Sequence, residues 1–260
     1  MKILVIGDIF GKMGRKIIKE NLPLLKKNHQ IDLVIANVEN VTHGKGLSLK
    51  HYEELKTYGI NIMTSGNHIF HLKETLDYIK KTDDLLRPLN SNPYHPGKGS
   101  ILLTLKNKKI RITNLLGNIF MPFSSENPFF SLEKIIKKKD CDIHLVDFHA
   151  ETTAEKIAFA LYYDGKISAL WGTHTHVQTS DERILPKGTA FITDLGMTGS
   201  LDGIIGCDSE AIFEKNKYYF SKKFFPKSEG NGQLNGLIIN FLDNNNQITY
   251  LKRIKLLYKL

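Results

Sequence analysis

Two histidines, His174 and His176 in Gly-Thr-His-Thr-His, follow directly on the apolar run Ile167-Ser168-Ala169-Leu170-Trp171. In an extended segment successive side chains point to opposite faces, so both imidazoles would face one way and Thr175 the other. Two converging imidazoles can hold one object, although a polar loop leaving a buried strand would carry the same pair. Their partners decide between these readings. Asp8 follows the apolar run Ile3–Gly7, Glu39 and Asn40 follow Leu33–Val38, Asn67 and His68 follow Asn61–Ser65, and His149 follows Asp142–Val146. Taken singly, Asp8 could cap a helix, Glu39, Asn40 and Asn67 could be turn residues, and His149 a satisfied buried histidine. Taken jointly, they form a mixed oxygen and nitrogen ligand set large enough for two divalent metals.

The elements that must position these residues can be read from periodicity. Ile3–Gly7, Leu33–Val38 and Asn61–Ser65 read as strands, and Leu47–Tyr58 as a helix ended by Gly59. Ile18, Leu22 and Leu25 fall at helical spacing, with Pro23 expected to break or kink that helix. Leu72, Leu76 and Ile79 mark a further helix. This βαβαβ order implies a largely parallel sheet with functional residues at the carboxyl ends of its strands. Ile101–Leu105 and Ile110–Leu116 read as a hairpin around Lys-Asn-Lys-Lys, as do Leu237–Leu242 and Ile248–Ile254 around Asp243-Asn244-Asn245-Asn246. Thr152 and Glu155 form a capping box opening a helix with Ile157, Ala160 and Leu161 on one face. No repeat or linker interrupts the chain, so residues 1–260 are expected to form one α/β domain, with two packed sheets.

Composition narrows the function classes. At 260 residues and 41% apolar content the chain can bury a sizeable core. No apolar stretch approaches the roughly 20 residues that span a bilayer, and Met1–Gly7 reads as a first strand and not as a signal peptide. Cys141 and Cys207 lie far apart without a CxxC pair, which points to a reducing, cytoplasmic setting without a disulfide framework. The net charge of +9 invites a nucleic-acid reading, but only five of the 36 basic residues are arginine, the residue that forks onto phosphate and guanine. A general attraction for anionic substrates remains. Gly-Asp-Ile-Phe-Gly-Lys is one residue too short for a P-loop and is followed by Met13, and no HExxH, GxSxG or GxGxxG is present. The stretch from Phe120 to Phe130 reads equally as a pocket wall, a subunit contact or a surface loop.

The ordered set Gly-Asp, an acid followed by Asn, Gly-Asn-His, a lone His, and Gly-x-His-x-His resembles the calcineurin-like metallophosphoesterases. That resemblance implies a two-layer β-sandwich flanked by helices (α-β-β-α), with a dinuclear metal site at the strand ends. Two positions depart from the general pattern: Phe10 stands where many members carry a metal-binding histidine, and Glu39 where they carry aspartate. These departures, with VDFHAETTAEKIAFA, GTHTHVQTSDERILP and FITDLGMTG, are similar to the YmdB-type bacterial phosphodiesterases.

Carried over position by position, the resemblance implies that Asp8 binds the first metal, Glu39 bridges both, and Asn40 stands in for the ligand that Phe10 cannot supply. His176 would complete the first shell, and Asn67, His149 and His174 the second. His68 would act as a proton donor without binding metal. The implied cofactors are two divalent ions, iron or manganese, with zinc also compatible with the ligand mix. Two cations roughly 3.5–4 Å apart lower the pKa of a bridging water and neutralise charge as it attacks a phosphodiester in line. The expected substrate is a small nucleotide or phosphodiester, 2′,3′-cyclic nucleotides included. A homo-oligomer is expected, RNA is a second candidate partner, and no membrane is involved. Two other readings stay open: a metal-dependent phosphomonoesterase or protein phosphatase, and an RNA-binding regulatory protein with a structural metal site.

Overall fold

The computed structural model describes residues 1–219 and 223–259. The chain begins with β1 (Lys2–Ile6), β2 (Asp8–Ile9), α1 (Gly11–His29), β3 (Leu33–Asn37), α2 (Leu49–Thr57), β4 (Ile62–Thr64) and a short α3 (Glu74–Tyr78). There follow β5 (Ser100–Leu105), β6 (Lys108–Leu116), α4 (Pro128–Ile136), β7 (Ile143–His149), α5 (Thr153–Tyr162), β8 (Ala169–Thr173), β9 (Arg183–Ile184) and β10 (Ala190–Ile192). β11 (Met197–Ser200), α6 (Ser209–Tyr218), β12 (Gly232–Phe241) and β13 (Ile248–Tyr258) come last.

One sheet runs β2-β11-β12-β1-β3-β4 with β13 on the free side of β12, and the other runs β5-β6-β7-β8-β10-β9. β1, β3 and β4 are mutually parallel, as are β6, β7, β8 and β10. Alternation of side chains along each strand builds the layers. Ile3, Val5, Leu33, Ile35, Leu237 and Ile239 point between the sheets and meet Ile110, Ile112, Ile143, Leu145 and Trp171. Leu4, Ile6, Val34 and Ala36 face outward onto Ile17, Ile18 and Leu22 of α1 and Leu55 of α2. On the far side Val146, Phe148 and Leu170 meet Leu132 of α4 and Phe159 and Ala160 of α5. The result is the helix-sheet-sheet-helix sandwich expected from the sequence. Each large apolar side chain so buried contributes about 1.5–3 kcal/mol, which makes the packing of one sheet on the other the main source of rigidity.

Several local expectations are corrected. Pro23 lies inside α1 without ending it, because it faces solvent while Leu22 and Leu25 on either side are buried against the sheet. The helix around Leu72, Leu76 and Ile79 contracts to α3 between two 3₁₀ turns, and its buried face is Thr75 and Tyr78, which both donate to the Leu47 carbonyl at 3.0 and 2.7 Å. On α5, Thr152 accepts from the Glu155 amide, but the Glu155 carboxylate turns away to accept from the amides of Asn118 and Ile119, so the reciprocal half of the capping box is absent. Leu161 is exposed, and the buried face of α5 is Lys156, Phe159 and Ala160. Of the stretch Phe120–Phe130, the last residues open α4, with Asn127 capping and Pro128 at its first position. Both hairpins form, and the final one is longer than expected. Cys141 and Cys207 are free thiols, and no helix among the described residues is long and apolar enough to cross a membrane.

Proline in a helix interior removes a backbone donor and disfavours the conformation. Pro23→Ala is expected to stabilise the protein by about 1–2 kcal/mol, read as a higher midpoint in denaturant unfolding; an unchanged or lower midpoint would mean that α1 already accommodates the ring without cost.

Candidate metal centre

The carboxyl ends of both sheets converge on one point. Asp8 sits in β2, Glu39 and Asn40 in the turn after β3, and Asn67 and His68 in the turn after β4. The other sheet delivers His149 as the last residue of β7, and His174 and His176 in the loop after β8. His174 and His176 are not in an extended segment: both have left-handed backbone, with φ of 101° and 65°. They face the same centre because this loop curls, and the alternation expected of a strand is not the cause. Nor does Asp8 cap α1, whose cap position is Phe10 with no side-chain cap bond.

His149 Nε2 is the focus. It lies 3.2 Å from Glu39 Oε1, 3.1 Å from Asn67 Oδ1 and 3.0 Å from His174 Nδ1. Ligands about 2.0–2.1 Å from a common ion are separated by about 3.0–3.4 Å, so each of these three distances from His149 Nε2 suits neighbouring ligands of one ion. Glu39, His149 and His174 each offer a ligand atom within 4.8 Å of the others. A second group adjoins it. The Asn40 amide lies 3.3 Å from Glu39 Oε1 and 3.2 Å from His176 Nε2, and Asp8 Oδ1 lies 3.9 Å from the same imidazole nitrogen. Asn40 presents Nδ2 here; a half-turn of its amide presents Oδ1 at that position. Glu39 Oε1 therefore stands between both groups. All eight residues singled out in the sequence come together, with seven side chains around the focus and His68 beside Asn67.

The electrostatics favour a cation. Burial raises the Asp8 pKa against the opposing pull of His176 and His149, and Asp8 Oδ1 is buried with no hydrogen-bond partner. A buried carboxylate oxygen left unpaired costs at least about 1–3 kcal/mol, a cost that a positive charge removes. Burial pushes His149, His174 and His68 down to about 4, so their imidazoles are neutral near pH 7 and keep lone pairs for a ligand. The outer nitrogens fix which lone pair faces inward. His149 Nδ1 donates to Thr173 Oγ1 at 2.9 Å, which donates to Asp147 Oδ1 at 2.7 Å, and His176 Nδ1 donates to the Ile205 carbonyl at 2.9 Å. Ile205 holds that carbonyl in place with φ of 45°, a conformation costly for a β-branched residue.

Sequence reasoning missed the polar layer beneath. Asn37 bonds the Ser65 carbonyl and the Glu39 amide, Asn114 accepts from the Ser65 amide, and Thr64 bonds Asp147, whose carboxyl burial pushes up to about 7. The available signal was a polar residue ending an apolar run in VIAN, RITN and LVD. Gly66 was also missed: a Cβ there would meet His149 Nε2 at 2.3 Å and Glu39 Oε2 at 2.5 Å, so only glycine lets the two side chains meet. Lys156 Nζ, fully buried, donates to Asp194 Oδ2 at 2.7 Å and to the Thr173 carbonyl at 3.0 Å, while the same Asp194 oxygen accepts from the Thr175 amide. This ion pair fastens the histidine loop to α5.

The YmdB-like protein family model matches residues 4–254. The chain belongs to the YmdB-like family. A Bacillus subtilis relative named 2′,3′-cyclic-nucleotide 2′-phosphodiesterase is 42% identical over 256 residues, covering 98% of this chain and 96% of the relative. A Mycoplasma pneumoniae crystal structure described as a novel phosphatase superposes with a TM-score of 0.96 at 44% identity, covering 100% of this chain and 94% of the other. A Haemophilus influenzae NAD nucleotidase, 13% identical with a TM-score of 0.60 over 56% of its own length, shares the fold. With YmdB-like relatives so named along nearly its whole length, the chain is a hydrolase enzyme, and the family together with the side-chain cluster points to divalent metals.

Removing one member of a buried ion pair leaves the other charged and uncompensated. Lys156→Met is expected to destabilise the fold by about 3–5 kcal/mol in denaturant unfolding; a loss under about 1 kcal/mol would show that Asp194 is satisfied by the backbone amides alone.

Proposed function

We propose that the chain is a dinuclear-metal phosphodiesterase that hydrolyses nucleotide phosphodiesters, 2′,3′-cyclic nucleotides foremost. The observation that carries this reading is the convergence of Glu39 Oε1, Asn67 Oδ1 and His174 Nδ1 on His149 Nε2 beside the orphaned Asp8 Oδ1. Asn67, His149 and His174 would hold one ion, Asp8, Asn40 and His176 the other, and Glu39 both. When bound, the two ions, iron or manganese with zinc compatible, lower the pKa of water and neutralise charge on the phosphoryl oxygens.

The chain's own groups do the rest. His149 and His174 enter neutral, so no proton must leave them before a ligand is bound. His68 is anchored by its backbone amide, which donates to Glu39 Oε2 at 2.7 Å, and its ring lies 3.4 Å from the Asn67 amide. Its position beside Asn67 and Glu39 supports a role as proton donor to a departing ribose oxygen. Burial and Lys45 both hold His68 in the neutral form, and Glu39 opposes them. A phosphodiester anion beside His68 acts in the same direction as Glu39 and favours the protonated donor. Lys45, in the tight loop after Asn40 where the Gly46 amide closes onto the Glu39 carbonyl, brings a cation near His68 that suits an anionic substrate.

The Mycoplasma neighbour's description as a phosphatase makes a phosphomonoester the necessary comparison substrate. Purified protein with Mn²⁺ or Fe²⁺ is expected to turn over 2′,3′-cyclic AMP and spare a phosphomonoester, to lose turnover on chelation, and to lose about 100-fold or more in Asn67→Ala. Metal-dependent monoester hydrolysis without diester turnover would instead favour the phosphatase reading, and salt-sensitive RNA affinity that survives chelation would favour RNA binding. For the donor role, His68→Ala is expected to slow the cyclic nucleotide by about 10²–10⁴-fold and a p-nitrophenyl diester, whose leaving group needs no proton, far less. Equal losses on both would remove the donor role.

A further inference from the structure

The three imidazoles of the centre differ in what holds their outer nitrogen. His149 gives its Nδ1–H to a hydroxyl and His176 gives its own to a carbonyl, whereas His174 Nε2 meets a carboxylate, Glu151 Oε2, at 3.0 Å. Its inner atom, Nδ1, is the one 3.0 Å from His149 Nε2. The arrangement is carboxylate, imidazole, ligand shell, in line through one ring. His149 is locked by packing, with no exposed side-chain surface, but the His174 side chain is 21% exposed and stands on a loop residue with left-handed backbone. Packing alone does not fix the second ring.

We propose that Glu151 is a positioning residue of the metal centre. This rests on the reading that His174 holds a divalent ion. Glu151 lies two residues after His149, in the turn between β7 and α5, so the same turn supplies one ligand and the group that aims another. By accepting the Nε2 proton, its carboxylate selects the tautomer in which Nδ1 carries the lone pair, fixes the ring about its χ angles, and raises the basicity of Nδ1. The alternative role for an acid at this position is a favourable charge just before the first turn of α5, which stabilises the helix whether or not metal is bound.

Mn²⁺ titration calorimetry of chelated protein separates these roles, with thermal unfolding of the metal-free forms alongside. Glu151→Ala is expected to weaken one of two Mn²⁺ equivalents by about 10–100-fold. Glu151→Gln, whose amide oxygen still accepts from Nε2, is expected to recover most of that loss. Because Glu151 is half exposed, the metal-free midpoints of both variants should stay within about 2 °C of the parent. Mn²⁺ affinity of Glu151→Ala within twofold of the parent overturns the proposal. So does a fall in the metal-free midpoint as large as the fall in the loaded one, which is the mark of the helix role. Parent protein that takes up no Mn²⁺ overturns the dinuclear reading itself, a failure distinct from normal parent binding with an indifferent variant.

Discussion

Two carboxylates and three imidazoles crowd one point at the top of this sandwich, and the rest of the structure answers to that. Asp8 and Glu39 are both essentially inaccessible to solvent, and Asp8 Oδ1 has no hydrogen-bond partner. In water such groups would separate; here the backbone holds them together against desolvation and mutual repulsion. A cation at the focus would relieve that cost, so the energetics of the fold and the chemistry proposed for the site are linked. The neutral imidazoles of His149 and His174 fit the same logic, because a positive charge on them would compete for the space between the carboxylates.

Neither sheet owns the site. The first supplies Asp8, Glu39, Asn40, Asn67 and His68, and the second supplies His149, His174 and His176. The 3.2 and 3.1 Å approaches of Glu39 Oε1 and Asn67 Oδ1 to His149 Nε2 are therefore set by the packing of one sheet on the other, and the 3.0 Å approach of His174 by the loop after β8. That interface is apolar through most of its depth, from Ile3 and Val5 to Trp171 and Ile192, and turns polar only in its last layer at Asn37, Thr64, Asn114, Asp147 and Thr173. The polar layer cross-links the sheets directly, since Asp147 of β7 takes hydroxyls from Thr64 of β4 and Thr173 of β8. An apolar core gives area but little orientation, whereas this layer fixes register at the point where tenths of an ångström matter.

What the sequence made legible follows the same division. Strand ends were readable because apolar runs stop there, and every candidate residue sits just beyond such a stop, from Asp8 after Ile6 to His174 after Thr173. Residues that act through distant partners were not. Nothing local marks Lys156, a lysine on a helix surface, as the buried mate of Asp194, nor Glu155 as the acceptor for amides near residue 118 in place of its own cap. The histidine pair shows a subtler gap. Convergence was inferred from strand alternation, yet it arises from left-handed backbone at His174 and His176, a geometry that a two-residue spacing does not encode. Pro23 errs in the other direction, since a local rule yielded to the burial of Leu22 and Leu25.

Phe10 shows how the two halves of the cluster come to differ. Its buried ring sits edge-on to His176 with centroids 5.2 Å apart, walled by Gly44 and Gly206, where added Cβ atoms would lie 3.1 and 2.6 Å from it. A phenyl ring offers no donor, so this chain places packing against His176 where the resemblance to metallophosphoesterases implied a ligand. Asn40 is the polar group left to meet His176 there, at 3.2 Å, and Asp8 stands further off at 3.9 Å. The half of the cluster around His149 is thus tight, while the half around His176 is looser and edged by an aromatic wall. The asymmetry sits where a single apolar side chain, with two glycines shaped around it, stands in place of a donor.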